Sequence, residues 1–363
     1  MSDRQDSRSP VPVPGEHSLA EILSQPQFWT RCLHKLESAN SADAVRQTFS
    51  DVDEWLFIGC GSSYYIALAA AASWGMITGE RARAIPASEL LLFPDLVAAS
   101  SKNSAAVLIS RSGRTSETVS AAEMLARKGN VRMLAVTGTA NGPIEDLAAL
   151  SLALPPSDEQ STVMTRSFSS MLLGLQYLAA SWAGDRALLD SFRRLPVAAQ
   201  AALSELHPRV RAFVAQRNFA DYVCLGQGPY YGLACETALK ITEMSVSYAQ
   251  AFHTLEFRHG PKSIVGPETL IVFLLSEQGY DAEVDVLEEI KSLGGMTLAI
   301  ANRADGRARA ASDLVIEFGF DMPELARLAA YVFAGQLTGL YTGLKKQLDP
   351  DNPRHLSRVV MLK

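Results

Sequence analysis

The chain has 363 residues, 48% of them hydrophobic in the wide sense and 20% charged, enough to bury a core and too long for one ordinary compact domain; two are expected. Its net charge of −6 and pI near 5.6 argue against nucleic acid as the main partner. The longest apolar run, Tyr65 to Thr78, is too short to span a membrane. The four cysteines (Cys32, Cys60, Cys224, Cys235) lack the paired spacing of a zinc site or a disulfide framework, and the polar, proline-containing start lacks a signal-peptide pattern. A cytoplasmic protein is expected.

Residues 1–17 read as a disordered lead-in. Glu21 to Leu36 carries a helical period, kinked or broken at Pro26. The first buried strand is LFIG (56–59), followed by the turn Gly59-Cys60-Gly61-Ser62-Ser63 and a helix; AVLIS (106–110), a helix over Thr115–Lys128 and MLAV (133–136) come next. The same order then returns. VCLG (223–226), the turn Gly226-Gln227-Gly228, LIVFLL (270–275), a helix over Asp281–Leu293 and LAIA (298–301) repeat it at an offset of 167, drifting by only a few residues. Glu324 to Lys345 adds a last helical stretch. Apolar runs bounded by Gly or Ser and alternating with amphipathic helices predict an α/β chain of two duplicated, doubly wound parallel sheets. We place the first domain at 18–195, the second at 196–345, and a C-terminal tail at 346–363.

In such sheets ligands sit beyond the carboxyl ends of the strands. The Gly59–Ser63 turn lacks the third glycine of a dinucleotide fingerprint, Tyr64 standing in its place, and Glu89 lies too far on; no triphosphate-binding loop is present. The turn Ser110-Arg111-Ser112-Gly113-Arg114-Thr115 gathers three hydroxyls at a helix N-terminus, which favours an anion over simple capping; without a lysine-based cradle, a single phosphate on a small molecule fits. Its counterpart, Ser276-Glu277-Gln278-Gly279-Tyr280, has lost the hydroxyls and gained a carboxylate. In the second half, Glu236, Lys240 and Glu243 share one face of a helix whose neighbours are apolar, so that buried carboxylates suited to proton transfer are expected. His259, in Glu256-Phe-Arg-His-Gly-Pro-Lys-Ser263, is a candidate acid/base. A metal site at His253, Glu256 and His259 is disfavoured, because the two histidines diverge by about 120° on a helix and Gly260-Pro261 ends one.

The series CGSS, SRSGRTSET, ALKITEMS, FRHGPKS and DNP…RVV resembles the tandem sugar-isomerase (SIS) proteins over the chain beyond Glu16; EILSQPQFW, Met164-Thr-Arg-Ser and FRHGPKS look most like their tagatose-6-phosphate ketose/aldose isomerase branch. The resemblance implies a flavodoxin-like fold in each half and a sugar 6-phosphate substrate, converted by an isomerase or an amino-sugar-6-phosphate deaminase. It implies that Gly61, Ser62 and Ser63 meet the sugar, that Ser110, Arg111, Ser112 and Thr115 hold its phosphate, and that Thr165, Glu236 and Arg358 line the site. Glu243 would move the proton between C1 and C2, His259 would open the ring, and Lys240 would assist. His259 would reach the neighbouring subunit's site in a homodimer. Neither metal nor cofactor is implied. Arg358 stands where the related synthases carry a lysine able to form a Schiff base, and arginine stays protonated. With no N-terminal cysteine nucleophile, this favours the catabolic direction; a synthase module lacking its glutaminase, or a non-catalytic phosphosugar sensor, are the alternatives.

Overall fold

The computed structural model describes residues 13–95, 103–129 and 131–361. The chain forms two five-stranded, all-parallel sheets. The first comprises β1 (Glu54–Gly59), β2 (Arg81–Pro86), β3 (Ser104–Ser110), β4 (Val131–Thr137) and β5 (Leu150–Ala153), in the order β2-β1-β3-β4-β5. The second comprises β6 (Asp221–Gly226), β7 (Tyr248–His253), β8 (Thr269–Leu274), β9 (Met296–Ala301) and β10 (Leu314–Glu317), in the order β7-β6-β8-β9-β10. The two orders are the same, as duplication demands. The six apolar runs found in the sequence are β1, β3, β4, β6, β8 and β9, which are buried on both faces. The four remaining strands, β2, β5, β7 and β10, are the sheet edges and are half-exposed or short.

Among the described residues, eight longer helices organise the layers: α1 (Glu16–Ser38), α2 (Ser62–Thr78), α3 (Ser116–Lys128), α4 (Arg166–Ala183), α5 (Arg186–Ala215), α6 (Pro229–Ser245), α7 (Tyr280–Ser292) and α8 (Val332–Lys345). Three sequence expectations need correction. First, α1 is not broken at Pro26. Proline removes the N–H that would bond the Ile22 carbonyl, but the Gln25 carboxamide donates to that carbonyl at 3.0 Å instead. Second, residues 16 and 17 already belong to α1; residues 1–12 of the expected disordered lead-in lie outside the described residues. Third, the stretch from Glu324 begins as a 3-10 turn and becomes α-helical only at Val332. The boundary placed between 195 and 196 falls inside the continuous 30-residue α5.

The halves meet where α2 crosses α6. A Cβ on Gly232 would fall 2.7 Å from both the Ala69 nitrogen and the Tyr65 oxygen, so only glycine permits this approach. On its other side α6 packs against α8, where Gly335 and Gly339 admit Thr237 and the Lys240 carbonyl. Thus α6 is clamped between two helices. The tail returns to the first half: Asp351 accepts from the Ser18 amide and hydroxyl at 2.7 and 2.6 Å, capping the α1 N-terminus from 333 residues away.

Candidate active site

Two turns meet at the carboxyl ends of the adjacent strands β1 and β3, where the chain reverses its direction of strand addition; open α/β sheets form their ligand crevices there. At the first turn, Gly61 has φ 53° and ψ −127°, a conformation that side chains resist, and it delivers the buried Ser62 and Ser63 to the start of α2. At the second, the Ser110 and Thr115 hydroxyls lie 3.1 Å apart, and the Ser112 hydroxyl accepts from the Arg114 amide at 3.1 Å. Among the described residues no carboxylate reaches these three hydroxyls.

Arg111 lies in the same turn but faces away from solvent. Its guanidinium donates to the carbonyls of Thr162 (2.8 Å), Val163 (3.2 Å) and Arg358 (3.0 Å), with Glu159 3.5 Å away. It ties the 158–165 loop and the C-terminal tail to the turn. Thr165 is held through its amide and hydroxyl by Glu159 Oε1 at 2.7 and 2.6 Å, and the Arg358 side chain pairs with Asp158. These three residues therefore brace the wall of the site. The Val360 carbonyl accepts from the Ser116 amide, so the tail crosses the N-terminus of α3.

The second half contributes α6. Lys240, 1% exposed, lies 2.5 Å from Glu243, 3.4 Å from Glu236, and 3.2 Å from the Ser62 hydroxyl, to which it donates. This last bond joins the Ser62 turn of one half to the carboxylate-bearing helix of the other. Burial pushes the Glu236 carboxyl up to about 8, against the pull of Lys240 and with the repulsion of Glu243. Burial pulls the Lys240 ammonium down, but the two carboxylates outweigh it and hold the group above the ordinary lysine range. The charged form of Lys240 is thus the favoured one. Of the three residues, Glu243 is the one whose side chain reaches solvent.

His259 stands exposed after the 3-10 turn Glu256–Arg258, and its ring makes no hydrogen bond among the described residues. Arg258 and Lys262 flank it and both pair with Glu289, at 2.7 and 2.5 Å. His253 stacks on Tyr231 with ring centroids 3.8 Å apart, its Nδ1 buried without a partner. Among the described residues, no group of three or more His, Cys, Asp or Glu is arranged to hold a metal ion, and no helix is long and apolar enough to cross a membrane.

The SIS domain family description matches residues 48–181 and 222–341, once for each half. The chain belongs to the SIS domain family. Its curated relatives include a glutamine–fructose-6-phosphate aminotransferase of Bordetella parapertussis, 27% identical over 357 residues, covering 94% of this chain and 57% of that protein. A Methanothermobacter thermautotrophicus enzyme of the same name is 24% identical, covering 94% and 58%. The chain spans little more than half the length of these relatives. Among solved structures, glucosamine-6-phosphate deaminase from Thermotoga maritima superposes with a TM-score of 0.80 at 28% identity, covering 96% of this chain and all of that one. Tagatose-6-phosphate ketose/aldose isomerase from Escherichia coli shares the fold with a TM-score of 0.84 at 23% identity, over 97% of this SIS chain and 98% of its own.

Sequence reading missed Glu159, Glu283, Glu324 and Arg327, which bond to or pair with residues of the two strand-end turns. None sits in a motif, and each owes its place to a partner distant in sequence or hidden by burial.

Proposed function

We propose that this SIS protein is a phosphosugar isomerase or amino-sugar-6-phosphate deaminase, acting on a hexose or hexosamine 6-phosphate through an enediol or enolamine. The observation that supports it is the joining of the Ser62 turn to the Glu236–Lys240–Glu243 face, beside the open hydroxyl cluster of Ser110, Ser112 and Thr115. That cluster takes the phosphate at the dipole-positive start of α3. With the far end anchored, C1 and C2 are held against Glu243, which removes a proton from one carbon and returns it to the other. Lys240 pairs with Glu243 and steadies the developing oxyanion; Glu236 holds Lys240 in place. When C2 bears an amine, protonation at C1 of the enolamine gives an imine that water hydrolyses to ammonia and the ketose phosphate.

Arg358 favours this release of ammonia over transfer to a ketose, since it is paired with Asp158 and remains protonated. The exposed, unbonded His259 is assigned to the neighbouring subunit of a homodimer, where it opens the pyranose ring.

The substrate test is incubation of glucosamine-, galactosamine-, fructose- and tagatose-6-phosphates with the protein, followed by proton NMR and an ammonia assay. Ammonia with a ketose phosphate identifies a deaminase; exchange without ammonia identifies an isomerase. Binding without turnover on every sugar refutes the catalytic reading. Mixing Glu243→Gln and His259→Ala chains tests the shared site. Random pairing gives mixed dimers with one intact site, and roughly a quarter of wild-type turnover returns. If both residues served one subunit's own site, none would return.

A further inference from the structure

The duplicated fold has a second crevice, at the carboxyl ends of β6 and β8. Its backbone is retained: Gly228 has φ 53° and ψ −128°, within a degree of its counterpart Gly61. A cavity of about 310 Å³ remains over the turn, lined by Met76, Gln227, Pro229, Tyr230, Gln278 and Glu324. A buried arginine stands beside the turn: Arg327 is 1% exposed, its Nε lacks a partner, and its guanidinium lies 2.7 Å from Glu277.

The turn's donors, however, are engaged. The Ser276 amide and hydroxyl donate to the two carboxylate oxygens of Glu283 at 2.7 and 2.9 Å, and the Gly279 amide donates to the Ser276 hydroxyl at 2.9 Å. The Glu277 amide donates to Glu324 Oε1 at 2.6 Å, and the Tyr230 hydroxyl to the same oxygen at 3.1 Å. At the matching position in the first half, 166 residues earlier, Glu117 does not turn into its nest; its Oε2 is buried and unbonded, and the hydroxyl of Ser110 faces Thr115 instead.

We infer that the second strand-end turn is an anion nest occupied in cis, with Glu283 and Glu324 standing where a phosphate's oxygens would lie. These two residues then decide that the chain takes one phosphosugar per protomer rather than two. The inference rests on the proposed reading of the first turn only for the identity of the ligand. The geometry of occupation stands by itself.

The probes are inorganic phosphate and a hexosamine 6-phosphate, titrated calorimetrically into full-length Glu243→Gln protein so that no turnover interferes. One site per chain is expected, abolished by Ser110→Ala/Thr115→Val. Adding Glu283→Ala/Glu324→Ala to that disabled chain restores phosphate binding, at least about tenfold tighter than before the addition. Glu283→Gln alone keeps an acceptor on Ser276 and restores nothing. A folded chain that carries the two opening substitutions and still binds no phosphate overturns the inference. Should that variant fail to fold by circular dichroism, Glu283→Ser/Glu324→Ser keeps polar side chains too short to reach the turn's amides and is read the same way. Failure of the one-site titration before any opening refutes the first-turn reading instead, and leaves the gain in the disabled chain as an independent result.

Discussion

Replacing Lys240 with methionine removes the cation that serves two carboxylates. With Nζ 3.4 Å from Glu236 Oε1, and an effective dielectric of about 20 for buried protein sites, the lost attraction is about 5 kcal/mol. That agrees with the 3–5 kcal/mol typical of breaking a buried pair. The cost depends on pH, and the direction follows from the raised Glu236 carboxyl. The folded chain keeps a proton on Glu236 from pH 4.5 up to about 8, where the unfolded chain has lost it. Wild-type stability from this group is therefore greatest below pH 4.5 and declines as pH rises through that window. Without Lys240 the window extends higher, because nothing compensates the buried charge. At pH 6 Glu236 is neutral in both proteins, and Lys240→Met should cost only about 1–2 kcal/mol of hydrogen bonding and packing. By pH 9 the deficit should grow by about 1.4 kcal/mol more, the most that one proton contributes over the single pH unit above 8. Glu236→Gln should restore most of it in the double variant, since the amide brings no charge to bury. Urea denaturation at the two pH values measures each corner of the cycle. A deficit that does not change between pH 6 and 9, or a double variant no more stable than Lys240→Met, would refute the account.

Three further outcomes follow from the geometry. Ser110→Ala/Thr115→Val should weaken phosphosugar binding by roughly 10- to 100-fold per charge-assisted bond lost, while binding of the unphosphorylated sugar stays as it was; calorimetry with both ligands separates the two. Arg111→Met should free the 158–165 loop and the tail together, seen as faster limited proteolysis at both segments, and cleavage confined to one would contradict their common anchor. Gly232→Ala forces a methyl group into the α2–α6 crossing and should cost about 1–3 kcal/mol in denaturant; a neutral substitution would mean the helices can part.

The central strands were legible because burial on both faces leaves an uninterrupted apolar run, as in Val107-Leu-Ile109 or Ile271-Val-Phe-Leu274. The edge strand Arg81-Ala-Arg-Ala-Ile-Pro86 shows no such run, because one side meets solvent and its arginines stay there. The Ser110–Thr115 hydroxyl turn was legible as a local cluster, yet the fate of Arg111 was not. Its neighbours in sequence suggest an anion contact, while its actual partners are carbonyls 51, 52 and 247 residues away. Pro26 misled for the same reason: the compensating Gln25 bond depends on a side-chain conformation that residue type alone does not set.

The two halves have diverged in a complementary way, and the matched positions show how. In the first half an arginine of the strand-end turn (Arg111) pairs with a glutamate of the loop beyond the last strand (Glu159); in the second, a glutamate at the matching turn position (Glu277) pairs with an arginine of the corresponding segment (Arg327). The brace is kept while its charges are exchanged, and with them the charge left over at each turn. The first half retains hydroxyls open to an anion but carries Ala69, Ser73 and Met76 where the second carries Glu236, Lys240 and Glu243. The second retains the acid/base helix but fills its own nest with carboxylates. Under the proposed function neither half holds both parts of a site, and the α2–α6 crossing that brings Lys240 to Ser62 joins them. A second working site would need Met76→Glu as well as removal of Glu283 and Glu324. Opening the nest alone should therefore create a binder of phosphosugar at the second turn and leave turnover per chain unchanged.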